Sequence, residues 1–237
     1  MDILGEVWHR AMTTQPAPPG RVVALTAVLA MLLVWAPGAW PVTRHVVTIA
    51  HEAAHGFAAL LSGRRLHGIR LHSDTSGLTV SAGRTTGPGM VMTAAAGYVG
   101  PGLLGLGAAA LLAHHRAVGL LWALLIMLAL LLIQVRNWFG LWSVLLSAAA
   151  VFGVSWWLQP QLQSAFAYLL TWFLLLAAPR PVLELQTLRR RTSARSSDAD
   201  QLARLTWVPA IAWVGFFLVV TVGSCVVGAG WMVAATT

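Results

Sequence analysis

Long apolar runs constrain this chain more than any other feature of its sequence. A helix that crosses a bilayer needs about 20 mainly apolar residues. Seven apolar segments approach or exceed that length, near residues 22–40, 44–62, 88–113, 117–134, 138–158, 162–178 and 206–234. Only 9% of the residues are charged, against about 25% in soluble domains. We therefore predict an all-α polytopic membrane protein, with about six to seven transmembrane helices in a lipid bilayer.

The basic residues are all Arg, and most of them lie in the short segments between apolar runs. This distribution is typical of topology signals, which concentrate Arg in cytoplasmic loops, and it argues against nucleic-acid binding. The loops 63–87 and 179–204 are therefore predicted to be cytoplasmic. With seven spans the N-terminus is then also cytoplasmic and the C-terminus is outside. If one segment does not span, the C-terminus moves to the inside. Residues 1–237 are interpreted as a single membrane domain that begins with a polar tail, residues 1–20.

The polar loop 63–87 carries a strand-like pattern. Apolar and polar residues alternate on both sides of a turn-forming cluster, Asp74-Thr75-Ser76-Gly77, and the apolar positions are Leu66, Ile69, Leu71, Leu78 and Val80. Alternation of this kind around a turn predicts a β-hairpin. Such a hairpin has an edge strand with which an extended peptide can pair.

The chemically informative motif is HExxH at residues 51–55, inside the second apolar segment. Residues four apart share one helix face, so His51 and His55 can bind one metal ion. Glu52 is then placed to act as the general base for a water activated by zinc. Ionisable residues are rare inside membrane helices and are expected to be functional. Two alternatives remain open: a polar cluster that packs helices together, and a metal site without catalytic activity.

Around this motif the chain resembles the site-2 protease family of intramembrane metallopeptidases, and more narrowly its compact bacterial branch. The resemblance covers roughly residues 43–140, where HExxH, the hairpin-like segment and Gly97-Tyr98-Val99-Gly100-Pro101-Gly102 occur in that order. The segments 136–140 and 197–202 also look similar. The resemblance implies a Zn²⁺-dependent endopeptidase of a bacterial cell membrane. Its substrates would be membrane-embedded or membrane-proximal proteins, as in regulated intramembrane proteolysis.

The third zinc ligand has to be chosen from few residues. In the family it is an Asp in an Asp-Gly pair on a later helix, and this chain has no Asp-Gly pair. A catalytic zinc needs three protein ligands and one open position. Asp198 and Asp200 are the best carboxylate candidates, although both are also suited to capping the helix that follows Ser197.

Other residues remain possible third ligands. Asn137 ranks below the two Asp residues, and an all-His site would use His45, His67 or His72. Asp74 is interpreted as a turn former. Besides the peptidase, two functions stay open: a regulatory membrane protein with a non-catalytic metal, and a transporter or structural membrane protein.

Overall fold

The computed structural model describes residues 3–191 and 197–236. The first helices are α1 (Ile3–Met12), α2 (Gly20–Trp35) and α3 (Trp40–Leu61), and the strands are β1 (Arg65–Leu71) and β2 (Gly77–Ala82). The later helices are α4 (Pro88–Ala113), α5 (Ala117–Gln134), α6 (Trp138–Trp157), α7 (Pro160–Ala177), α8 (Pro179–Arg191), α9 (Asp198–Thr206) and α10 (Ala210–Ala234).

Within the described residues, five helices are long and apolar enough to cross a membrane by themselves: α4, α5, α6, the continuous pair α7–α8, and α10. Helices α2 and α3 pass the same test only as a pair, and they are bent by 99° at the break between them. The spans therefore number five, or six if the bent pair is one span. The prediction of an all-α polytopic membrane fold with a small hairpin is confirmed.

The N-terminal segment and the C-terminus lie at the same end of the helix bundle. A Cβ atom on Gly20 would lie 3.9 Å from Oγ1 of Thr236, just beyond α10. The amide of Gln15 donates to the carbonyl of His115, which lies between α4 and α5. From there α5 runs to the opposite end, where the amide of Arg136 donates to the carbonyl of Ile69 in the hairpin.

Helices α2 and α3 together count as at most one candidate span, and they connect the end of the bundle with the N-terminal segment to the end with the hairpin. Helix α2 ends beside α8, where the Arg180 guanidinium donates to the carbonyl of Val34. Helix α3 then begins near Glu184 of α8 and ends near Gly89 of α4, so both of its ends stay at this side. The N-terminal segment and the described residues of the basic segments 63–87 and 179–204 therefore lie at opposite ends of the bundle. The side of the membrane on which each end lies stays a prediction.

The bundle is held together by close helix contacts through small side chains. Ala30, Ala108, Ala109 and Ala167 are fully or almost fully buried in its largest apolar cluster. Gly105 lets α4 approach α7, because a Cβ atom there would lie 3.0 Å from the Leu175 side chain. Small residues allow the helices to come this close, and van der Waals contacts then stabilise their packing. These contacts matter in a membrane because lipid is as apolar as the side chains and gives no hydrophobic driving force.

The hairpin is antiparallel, with Leu71 opposite Gly77 and Ile69 opposite Thr79. The outer edge of β1 is occupied, because Ile69 bridges to Val135 and the Asn137 side chain makes two hydrogen bonds to the backbone of Leu71. In an antiparallel ladder, the N–H and C=O groups of two opposed residues either bond to each other or both point away from the partner strand. Ile69 and Leu71 bond away from β2. Gly77 and Thr79 therefore direct theirs to the outer edge of β2, where no strand of the described residues pairs.

The predicted basic loop 179–204 consists mainly of helix. Helix α8 continues α7 as far as Arg191, and α9 begins at Asp198, whereas residues 192–196 lie outside the described residues. Helix α9 packs on an apolar cluster with α4 and α10 through Ala199 and Leu202, which are both buried. This packing brings the start of α9 against the HExxH helix.

Candidate metal centre

Three side chains from two distant parts of the chain converge on one point. His51 and His55 lie one turn apart on α3, and their Nε2 atoms are 3.0 Å apart. The Oδ2 atom of Asp198 at the start of α9 lies 3.4 Å from Nε2 of His51 and 3.2 Å from Nε2 of His55. Among the described residues these three form the only His, Cys, Asp and Glu cluster with metal-binding geometry.

The spacing of the three atoms fits a tetrahedral metal ion. Ligands about 2.0–2.1 Å from zinc in tetrahedral geometry are separated from one another by about 3.3 Å. The Nδ1 atom of His55 lies 2.7 Å from the carbonyl oxygen of Thr93. Because a carbonyl only accepts, Nδ1 carries the proton, and a neutral ring then has its lone pair on Nε2. The Nε2 lone pair of His55 thus lies beside the Asp198 carboxylate and the His51 imidazole. Together these three groups can bind a cation.

Glycine at position 97 leaves the space in which the His side chains meet. A Cβ atom there would lie 2.3 Å from Nε2 of His55 and 2.6 Å from Nε2 of His51. The next residue, Tyr98, packs edge-on against the His51 ring at 4.8 Å and stacks on Phe217 of α10 at 5.1 Å. Helix α4 thus supplies both the opening for an ion and an aromatic support for one ligand.

Glu52 is buried at 5% exposure beside the two His residues. Its Oε2 atom accepts a hydrogen bond of 2.6 Å from the Thr79 hydroxyl on β2. Together with His51 and Gly77 it lines a polar cavity of about 190 Å³ between α3, the hairpin turn, α4 and α8. The carboxylate therefore faces a space next to the candidate ligands that is large enough for water.

The two Asp candidates have different roles in the structure. Asp200 is 4% exposed and forms a capping box with Ser197, and its Oδ1 atom lies 3.0 Å from a guanidinium nitrogen of Arg189. Its carboxylate is therefore committed to the start of α9, and it is not in the metal cluster. Asp198, two residues earlier, is directed at the His pair.

The remaining candidates lie away from the cluster. Asn137 is bound to Leu71 as described above, and Asp74 accepts from the amide and hydroxyl of Ser76 in the turn, as predicted. The ring of His45 packs on Phe139, whereas His67 and His72 are exposed on the hairpin. The all-His alternative has no support in this geometry.

No functional role was predicted from the sequence for Thr79, Thr93 or Tyr98, and Gly97 was noted only as part of a small-residue element. No local sequence pattern identifies Thr79, because it contacts a residue that lies 27 positions away in the sequence, Glu52. Thr93 acts through a backbone carbonyl, which any residue type provides. Only the Gly97-Tyr98 pair, within a glycine-rich stretch of a span, offered a hint.

The fold and this cluster define a multi-pass membrane protein with a candidate metal centre at one end. A family model described as Peptidase M50B-like matches residues 24–228. The chain therefore belongs to this family, which is the site-2 protease family, and the resemblance noted in the sequence is confirmed. No curated protein and no solved structure gives a significant match.

Proposed function

We propose that the protein is an intramembrane zinc endopeptidase. The observation that carries this proposal is the convergence of His51, His55 and Asp198 at 3.0–3.4 Å, next to a buried Glu52 that lines a polar cavity. Three protein ligands with an open fourth position are the arrangement of catalytic zinc sites. Family membership supports the same class, a membrane peptidase.

A bound zinc ion would supply an acidified water, of pKa near 7, and polarise the substrate carbonyl. Glu52 takes one proton from the attacking water through Oε1, because Thr79 already holds Oε2. The water oxygen bonds to the carbonyl carbon of the peptide, and the C–N bond breaks. The same carboxyl then returns its proton to the departing amine nitrogen, so the reaction consumes one water and yields an acid and an amine.

The free edge of β2 is suited to hold the substrate. Gly77 both lines the cavity with Glu52 and directs its backbone groups outward, as does Thr79. An extended peptide that pairs with this edge would pass the cavity with its carbonyl groups exposed. The substrate class we propose is therefore a membrane protein whose helix unwinds next to this hairpin, since an intact helix hides its backbone.

The metal centre is proposed to open toward the cytoplasm of a bacterial cell. Nine of the 15 Arg residues lie in the hairpin, the turn at 136 and α8: Arg64, Arg65, Arg70, Arg84, Arg136, Arg180, Arg189, Arg190 and Arg191. Arg10, Arg21 and Arg116 are at the other end. Cytoplasmic ends are the Arg-rich ones. This proposed orientation would put the N-terminal segment outside, whereas the sequence pattern predicted that it is cytoplasmic.

Replacing Glu52 by Gln tests the proposed reaction. Glu52→Gln keeps the shape and one oxygen acceptor but cannot take a proton from water. We expect the detergent-purified variant to bind one zinc per chain like the wild type and to lose at least about a hundredfold in cleavage of a reconstituted transmembrane peptide. Cleavage is measured by mass spectrometry of the products.

Glu184 provides a poor control because it is half-buried and pairs with Arg44. The control is therefore Gln161→Glu on the exposed start of α7. This variant makes the reverse exchange, Gln to Glu, far from the cavity. It is expected to cleave the peptide at the wild-type rate. Wild-type cleavage rates in Glu52→Gln would reject Glu52 as the base. Stoichiometric zinc with no cleavage by the wild type would instead favour the non-catalytic metal protein.

A further inference from the structure

Thr79 has an unusual set of contacts with Glu52. Its hydroxyl lies 2.6 Å from Oε2 of Glu52 and 3.0 Å from the backbone oxygen of the same residue. A hydroxyl has one proton to donate, and the shorter contact to the charged oxygen is the stronger one. The hydroxyl of β2 is thus directed at the side chain that the proposed reaction uses as base.

The strand itself is shaped around this carboxylate. Side chains of β2 alternate, so that Gly77 and Thr79 face α3 whereas Leu78 and Val80 are exposed. A Cβ atom at position 77 would lie 2.4 Å from Cγ and 2.5 Å from Oε1 of Glu52. The backbone of Gly77 does not have a positive φ. Glycine is therefore required there for space and not for backbone conformation.

We propose that Thr79 is a positioning residue for Glu52, and that the hairpin thereby completes the catalytic base as well as offering an edge to the substrate. This inference rests on the proposed peptidase function. Holding Oε2 restricts rotation of the carboxylate and leaves Oε1 as the oxygen that exchanges a proton with water. A buried carboxylate with no donor would have to reorient or find another partner, because an unsatisfied buried acceptor is unstable.

The test replaces the hydroxyl without changing the shape of the strand. Thr79→Val is nearly isosteric and keeps the β-branch that favours a strand. We expect kcat to fall about tenfold to a hundredfold, which corresponds to loss of a hydrogen bond to a charged group, with KM and zinc content unchanged. Thr79→Ser retains the hydroxyl and is expected to recover most of the rate. Thr85→Val, the same exchange at an exposed position, is expected to have no effect.

A second readout needs neither zinc nor substrate. A double-mutant cycle combines Thr79→Val with Glu52→Ala and follows thermal unfolding of the metal-free protein. We expect the two effects to be non-additive, because each single variant removes the same hydrogen bond. The contact can thus be tested even if the proposed peptidase function fails, and inactivity of the wild type would refute that function alone.

Three results would overturn the inference. Additive effects in the cycle would show that the hydroxyl does not stabilise the carboxylate. An increase in KM with kcat unchanged would assign Thr79 to substrate binding. Equal loss of rate in Thr79→Ser and Thr79→Val would point to packing of the strand and not to the hydroxyl.

Discussion

Gly97 is the residue whose replacement tests the geometry of the metal cluster most sharply. Gly97→Ala adds a methyl group 2.3 Å from Nε2 of His55, in space that an ion and its ligands would share. Alanine is also a better helix former than glycine, so α4 is expected to fold. We predict at least a tenfold loss of zinc affinity, measured by titration with a competing chelator.

A matched control lies on the same helix. Gly107→Ala makes the same exchange where no atom lies within 4 Å of the added methyl, and it is expected to bind zinc like the wild type. Unchanged zinc affinity in Gly97→Ala would show that the ion, if bound, does not occupy the space between the two His side chains.

Site residues whose geometry is encoded by local spacing could be predicted from the sequence, and residues that act across the fold could not. His51, Glu52 and His55 could be recognised because a helix places residues four apart on one face, so that spacing alone encodes their geometry. Asp198 could be narrowed only to a pair with Asp200, since both acids fit a helix start. Thr79 and Gly97 could not be assigned, because their roles depend on which elements pack against α3, and that information is not local.

The start of α9 is the element that presents Asp198, and Asp200 secures it. Asp200→Asn weakens the capping box and the ion pair with Arg189. We predict a loss of about 1–3 kcal/mol in stability near neutral pH, visible as a lower melting temperature in detergent. A melting temperature equal to that of the wild type would mean that α9 is held by its apolar contacts alone.

The same interaction has a defined pH dependence. Burial by itself raises the pKa of Asp200, whereas the hydrogen bonds from Ser197 and Arg189 lower it. The lowering is the larger effect in total, so the pKa of Asp200 lies below its ordinary value. A lowered folded-state pKa contributes stability above the unfolded value of about 3.9, and this is lost as the pH falls through the folded value. The difference in melting temperature between the wild type and Asp200→Asn should therefore become smaller as the pH is lowered below about 4.

Most of the transmembrane elements could be predicted from the sequence, and the amphipathic ones could not. The apolar segments near 88–113 and 117–134 coincide with α4 and α5, because continuous hydropathy is enough to define a span. The segment 179–204 seemed to be a loop because it is charged. Its described residues fold as α8 and α9, because Val182, Leu185 and Leu202 bury an apolar side in the cluster beside α4.

The course of the chain through the membrane was the least predictable property. Two apolar segments, near 22–40 and 44–62, indicated two crossings, but hydropathy does not reveal the 99° bend that turns α3 back along the hairpin end. One crossing fewer reverses the side of everything that precedes it. The position of the N-terminal segment at the end opposite the hairpin could therefore not be predicted from hydropathy.

The opposite location of the two ends can be tested by cysteine labelling. In a Cys225→Ser background, Thr13→Cys and Ser73→Cys each introduce one exposed thiol, near α1 and in the hairpin turn. We predict that a membrane-impermeant maleimide labels only Thr13→Cys in intact cells and labels Ser73→Cys only after the membrane is opened. Labelling of both from one side would contradict the single crossing by α2 and α3.

The most direct test of the metal centre is the zinc content of the purified full chain and of two neighbouring Asp variants. We predict about one zinc per chain in the wild type and in Asp200→Asn, and a loss of zinc in Asp198→Asn and His55→Ala, with folding checked by circular dichroism. This result would identify the third ligand and separate it from the capping residue. Full zinc content in a folded Asp198→Asn protein, or none in the wild type purified without chelators, would contradict the proposed centre.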